Sequence, residues 1–161
     1  MQEQDIYGKY GVYLPKILDD LSQRIQEAND RVKQETGQKL FEHFNARVKQ
    51  AASMEEKCQR KNLPRAPESA LKEIRDAIGI RIVCGFIEDI YQTIEVLRQL
   101  EGCEIVLEKD YIRAAKPNGY RSYHLILEVE TPYEDCHGQN PGRYFVEIQL
   151  RTIAMDSWAS L

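Results

Sequence analysis

Arg143-Tyr-Phe-Val-Glu-Ile-Gln-Leu-Arg151 alternates strictly, and its two faces differ in chemistry. Successive side chains of a strand point to opposite sides, so Tyr144, Val146, Ile148 and Leu150 share one face and Arg143, Phe145, Glu147, Gln149 and Arg151 the other. The first set suits a core. The second could be an ordinary solvated face, but an acid that merely meets water is poorly placed in mid-strand, and Glu147 is in mid-strand. Residues 122–130 repeat the pattern, with Tyr123, Leu125, Leu127 and Val129 facing inward and Ser122, His124 and Ile126 facing the other way. Residues 135–142, which hold two glycines and a proline, join the two strands as a hairpin. The two polar faces then lie side by side as a lined platform.

Upstream, helices and strands interleave. Leu14, Ile17, Leu18, Leu21, Ile25, Ala28 and Val32 follow the 3.6-residue period, which predicts a long amphipathic helix over 15–35, opened by Pro15 and closed by Gly37. Residues 40–49 read as a loop followed by a strand. Ser53 with Glu56 forms a capping-box pattern that predicts a short helix over 53–60, and a further helix is expected over 67–77. The β-rich run 80–84 reads as a central strand, Ile90, Ile94, Leu97 and Leu100 as a helix closed by Gly102, and 104–111 as another strand. The fold class is therefore α+β with a mixed sheet.

The chain has 161 residues, 42% of them apolar, which is enough for one core and no more. It contains no apolar stretch near the roughly 20 residues a membrane span needs, and it is expected in the cytoplasm. The four cysteines, Cys58, Cys84, Cys103 and Cys136, form no CxxC pair, which disfavours disulfide frameworks and zinc sites. A net charge of −4 argues against a generic nucleic-acid binder, yet it conceals an asymmetry. Residues 47–65 hold six basic residues against two acids, and 109–121 hold four against one. These stretches carry +4 and +3, leaving −11 on the remainder of a chain whose total is −4. One such cluster could be a solvated loop. Two on an acidic chain favour a confined polyanion site.

Phosphoryl chemistry on a nucleotide needs cations for the phosphates, carboxylates for a divalent ion, and flat groups for the bases. Asp76, just before an apolar strand, reads first as a helix-terminal or surface acid and second as a metal ligand projecting from a strand end. Glu147 is the stronger carboxylate: it could share Mg²⁺ with Asp76 and take a proton from an attacking hydroxyl. Tyr120 follows the turn Lys116-Pro-Asn-Gly-Tyr120 and has the strand parity of His124, so ring and imidazole can both line the platform. No P-loop or GxGxxG fingerprint is present, so nucleotide binding here must use another scaffold.

Four segments, in order and spacing, resemble the synthetase domain of RelA/SpoT-type alarmone synthetases. They are Asn45-Ala-Arg-Val-Lys49 with Ser53 and Lys57, Arg75-Asp-Ala-Ile-Gly-Ile-Arg-Ile-Val83, Lys116-Pro-Asn-Gly-Tyr-Arg-Ser-Tyr-His124, and Val146-Glu-Ile-Gln-Leu-Arg-Thr152. Together with Ile153-Ala-Met-Asp-Ser-Trp-Ala159 they are most similar to the small, single-domain bacterial members. The resemblance implies a nucleotidyltransferase-like sheet of about five strands flanked by helices. It divides the chain into an N-terminal helical segment, 1–40, and a synthetase domain, 41–161.

The implied activity is that of a GTP pyrophosphokinase, which moves the β,γ-diphosphate of ATP to the 3′-hydroxyl of GDP or GTP. By motif, Arg47, Lys49 and Lys57 bind ATP phosphates, with Arg47 and Arg81 enclosing adenine. Asp76 and Glu147 hold Mg²⁺, and Glu147 activates the hydroxyl. Tyr120 stacks on guanine, with Lys116, Asn118, His124 and Gln149 near the acceptor. The histidine and acidic motifs of a hydrolase domain are missing, which implies synthesis alone. The resemblance also implies further C-terminal helices and a homo-oligomer such as a tetramer. Two alternatives stay open: a toxic relative that modifies tRNA 3′ ends, and a catalytically silent nucleotide-binding module.

Overall fold

A computed structural model describes residues 4–159. A 3₁₀ turn, Gly8–Tyr13, leads into α1 (Leu14–Thr36), followed by β1 (His43–Val48), α2 (Ala51–Arg60) and a π-wound turn (Ser69–Glu73). Then come β2 (Ile78–Cys84), α3 (Ile87–Arg98), β3 (Cys103–Asp110), β4 (Tyr123–Thr131), β5 (Gly142–Thr152) and α4 (Ile153–Ala159). The strands form one sheet in the order β1-β2-β5-β4-β3, with β2 and β5 parallel and the other neighbours antiparallel. The mixed α+β architecture is the expected one.

The alternation of β5 places it at the centre. Val146, Ile148 and Leu150 are fully buried and pack with Ile78, Ile80 and Ile82 of β2 and with Leu125 and Leu127 of β4. Leu14, Ile17, Leu21 and Ile25 of α1 and Ile90, Ile94 and Leu97 of α3 belong to the same core. Each such side chain contributes roughly 1.5–3 kcal/mol when removed from water. With the apolar face covered by helices, the opposite face supplies the platform.

Three local devices fix the frame. Gly37 ends α1 in the left-handed conformation, φ +80°, with its N–H on the Lys33 carbonyl at 2.8 Å. Asn29, buried on α1, accepts the N–H groups of Leu40 (2.7 Å) and Phe41 (3.3 Å) and donates to the Phe41 carbonyl (3.1 Å), which pins the approach to β1. Asp135, 1% exposed, accepts the backbone N–H groups of His137, Gln139 and Arg143 and organises the β4–β5 connection.

Two expectations about helices are corrected. The helix expected over 67–77 stops early: the π-wound turn closes with the Ile74 N–H on the Ser69 carbonyl at 2.9 Å. Ile74 is already extended at φ −90°, ψ 140°, so Asp76 is not helical and lies on the approach to β2. Nor does Ser53 cap α2. The N-cap is Gln50, without a side-chain hydrogen bond, and the helix starts at Ala51, because two alanines propagate a helix readily and Ser53 falls inside it.

Candidate active site

Register turns the open face into two rows of side chains. Asn45, Arg81, Gln149, His124 and Lys109 are cross-strand neighbours in one row; Arg47, Gly79, Glu147, Ile126 and Leu107 form the next. Gly79 therefore separates Arg47 from Glu147, and a Cβ built there would meet nothing within 4 Å. The gap lies in a cleft lined by Arg47, Arg81, Asp76, Glu147 and Gln149. A second cleft lies beyond, lined by Lys57, Lys61, Arg75 and Lys109. Asp76 and Glu147 are the two residues that line both.

Ions hold the β1–β2 side together. Lys49, just after β1, and Lys57, on α2, each place Nζ 2.7 Å from Asp76 Oδ2. The Tyr7 hydroxyl donates to the Lys49 carbonyl at 2.7 Å, and the Lys49 N–H donates to the Ala77 carbonyl at 2.8 Å. Burial would raise the pKa of Asp76, but the hydrogen bonds and charges of the two lysines outweigh it and hold the carboxyl below its ordinary value. Its other oxygen, Oδ1, is buried without a hydrogen-bond partner. An orphaned oxygen on a carboxylate that lines a cleft with a second carboxylate fits a hard divalent cation with oxygen ligands. Among the described residues no group of three or more His, Cys, Asp and Glu assembles, so phosphate or water oxygens would have to complete any such shell.

Hydrogen bonds and rings hold the β4 side. The turn before it is closed by the Gly119 N–H on the Lys116 carbonyl (2.8 Å) and the Tyr120 N–H on Asn118 Oδ1 (3.0 Å), with Gly119 at φ +87°. The Tyr120 hydroxyl and His124 Nε2 are 2.8 Å apart. Tyr111, Tyr120 and His124 meet edge to face, and Lys116 Nζ sits 4.8 Å from the Tyr111 ring centroid and 5.6 Å from that of Tyr120. Burial, reinforced by Arg151, Lys116 and Lys109, lowers the pKa of His124 to about 4, so its imidazole is neutral near pH 7.

Of the residues singled out in the sequence, Arg47, Arg81, Asp76, Glu147 and Gln149 line the first cleft, and Lys49 and Lys57 meet at Asp76. Lys116, Asn118, Tyr120 and His124 form a separate group around the turn. Sequence reasoning missed two positions. Gly79 gives no signal of its own. Arg151 shares the parity of Glu147 and Gln149, which was a signal, and its guanidinium links the two groups by reaching both Gln149 and Tyr120.

The model of a region found in RelA and SpoT proteins matches residues 46–161. The GTP pyrophosphokinase YwaC of Bacillus subtilis is 45% identical over 126 residues, 78% of this chain and 58% of that protein. YjbM, a GTP pyrophosphokinase of the same organism, is 33% identical over 146 residues, 91% of this chain and 66% of that protein. The chain thus spans about three fifths to two thirds of the length of these curated relatives. Small alarmone synthetase 1 from Bacillus subtilis, solved bound to its product pppGpp, superposes with a TM-score of 0.79 at 32% identity, covering 94% of this chain and 75% of that one. Segments read as motifs, a sheet that aligns them in two rows and a family model spanning most of the chain converge: this protein belongs to the RelA/SpoT family.

Proposed function

We propose that this chain is an alarmone synthetase, a GTP pyrophosphokinase that transfers the β,γ-diphosphate of ATP to the 3′-hydroxyl of GDP or GTP. The observation that carries this reading is that Asp76 and Glu147 stand on the wall shared by two clefts, where a reaction between two nucleotides needs its carboxylates. The names of the most similar relatives support it.

ATP occupies the cleft beside Gly79, its adenine between the guanidinium groups of Arg47 and Arg81. Lys49 and Lys57 pass from Asp76 to the phosphates and stabilise the charge that builds there. Asp76, through Oδ1, and Glu147 are the residues that would hold Mg²⁺, whose charge draws electron density from the transferred diphosphate. Guanine stacks on Tyr120, with Lys116, Asn118, His124 and Gln149 around the acceptor. Glu147 takes the proton of the 3′-hydroxyl as its oxygen attacks the β-phosphorus. A new O–Pβ bond forms, the bond from Pβ to the bridging oxygen breaks, and AMP leaves with that oxygen. The products are AMP and ppGpp or pppGpp.

Incubation with ATP, Mg²⁺ and GDP or GTP should yield AMP and the 3′-diphosphate in equal amounts. Label from γ-phosphate-labelled ATP should reach the guanine nucleotide and not tRNA; transfer to tRNA 3′ ends, or no transfer, overturns the reading. No helix among the described residues is long and apolar enough to cross a membrane, which agrees with an enzyme acting on cytoplasmic nucleotides. Ile153 and Trp158, 52% and 46% exposed on α4, support self-association, which light scattering tests.

A further inference from the structure

β5 ends in a buried cation with more partners than a stabilising role requires. Arg151 is 5% exposed. Its Nε donates to Ser122 Oγ at 3.3 Å and its Nη1 to Asp156 Oδ1 at 3.4 Å. Its Nη2 donates to the Tyr120 hydroxyl oxygen at 2.7 Å and to Gln149 Oε1 at 3.1 Å. Burying a guanidinium costs several kcal/mol of hydration, and a fold that needed only to tie α4 to the sheet could do so with apolar contacts.

A guanidinium can only donate, and this fixes the direction of every bond it touches. The Tyr120 oxygen accepts from Arg151, which leaves its own proton free to point to His124 Nε2, 2.8 Å away. His124 can accept there only as a neutral ring carrying its proton on Nδ1. On the other branch, Gln149 must turn its carbonyl oxygen to Arg151, which leaves its amide to donate to Glu147 Oε1 at 2.7 Å. The same Asp156 oxygen that holds Arg151 lies 3.7 Å from Nη1 of Arg81 in the neighbouring cleft.

We propose that Arg151 is a positioning residue that orients two branches at once: Tyr120 and His124 on one side, Gln149 and through it the Glu147 carboxylate on the other. Its role in turnover rests on the synthetase reading; the hydrogen-bond directions do not. A water-facing network would let each amide and hydroxyl rotate. Here one donor-only group selects a single arrangement, so the proton acceptor and the ring under the acceptor base share one reference point.

The first experiment is nitrogen NMR on chain labelled with ¹⁵N-histidine near pH 7, with His124 assigned by loss of its signals in His124→Gln. Expected is one neutral Nδ1–H tautomer for His124, giving way to a tautomer mixture in Tyr120→Phe. An Nε2–H ring or an imidazolium in the native chain overturns the proposal, and so does an unchanged tautomer in Tyr120→Phe. The second experiment is kinetic, with Arg151→Lys and Arg151→Gln. Expected are a fall in kcat of about 10- to 100-fold and a rise in acceptor KM of about 5- to 20-fold, with donor KM within about 3-fold. Wild-type kcat and acceptor KM in folded Arg151→Lys overturn it, as does an equal rise in both KM values. If the substitutions prevent folding, the NMR result decides. If the native chain makes no product, the synthetase reading fails while the tautomer measurement still tests the network.

Discussion

The two halves of the site are built by different physics. On the β1–β2 side, two lysines converge on one carboxylate oxygen, and Arg47 and Arg81 line the cleft beside Gly79. On the β4 side, a neutral histidine, two tyrosines and a turn are locked by directional bonds and ring edges. The first half is a charge balance that a polyanion can redistribute; the second is a shape that a base can fit. Phosphates are recognised by exchange of ionic partners, whereas a flat acceptor base needs a prepared surface. Under the proposed function, the site would divide its labour between adaptable and rigid walls.

The sharpest test strikes what the halves share. Glu147→Gln removes the base and a metal charge from the common wall, so turnover should fall by about 1,000-fold or more while each nucleotide binds within a few-fold of wild type. Steady-state rates with parallel calorimetry check this. Within the charged half, Lys49→Met or Lys57→Met should lower kcat/KM for ATP by about 100-fold, the scale of losing a charge clamp on a transferring phosphoryl group. In the native enzyme, raising ionic strength from about 0.05 to about 0.5 M should raise the ATP KM well above any change in the acceptor KM, because salt screens partly exposed charges. Equal salt dependence would erase the contrast.

Smaller effects sharpen it. Gly79→Ala puts a methyl group into the gap without displacing protein atoms, so ATP affinity should fall about 3- to 10-fold with no loss of Tm. Tyr120→Phe keeps the ring and loses the hydroxyl, and acceptor KM should rise about 3- to 10-fold whatever the salt. The smallest effect is thermodynamic. His124 titrates near 4 when folded and near its ordinary 6.5 when unfolded, so between these values the unfolded chain binds the extra proton. Denaturant melts should show stability falling as pH drops from 6.5 towards 4, a slope reduced in His124→Gln. The lowered pKa of Asp76 acts in the next window, adding stability above 3.8 that is lost as pH falls through its folded value.

Much of this was legible because strands write their period into the chain. The β5 alternation placed Glu147 and Gln149 on one face, and the parity of Tyr120 and His124 anticipated their contact. Helix ends were harder. The stop at Ile74 depends on a π-wound turn, from which Lys72 reaches the Arg143 carbonyl at 2.8 Å, a tertiary bond that local propensity does not encode. Asn29 was unreadable for the same reason, and Arg151 showed its face but not its partners: each needs a residue brought to it from 11 or 31 positions away. Gly79 was silent because its contribution is the side chain it lacks.

The strand at the centre of the sheet, β5, is also the last strand to be made. Its neighbours β2 and β4 are both translated before it, and until residues 142–152 emerge, Ile78, Ile82, Leu125 and Leu127 have no middle strand to pack beside. The parallel β2–β5 pair joins Ile78 to Val146, 68 positions apart, a non-local contact whose entropy must be met before packing rewards it. The same order of events keeps Glu147 away from Asp76 until the middle strand is in place, so the wall that the two clefts share is among the last parts of the sheet to form.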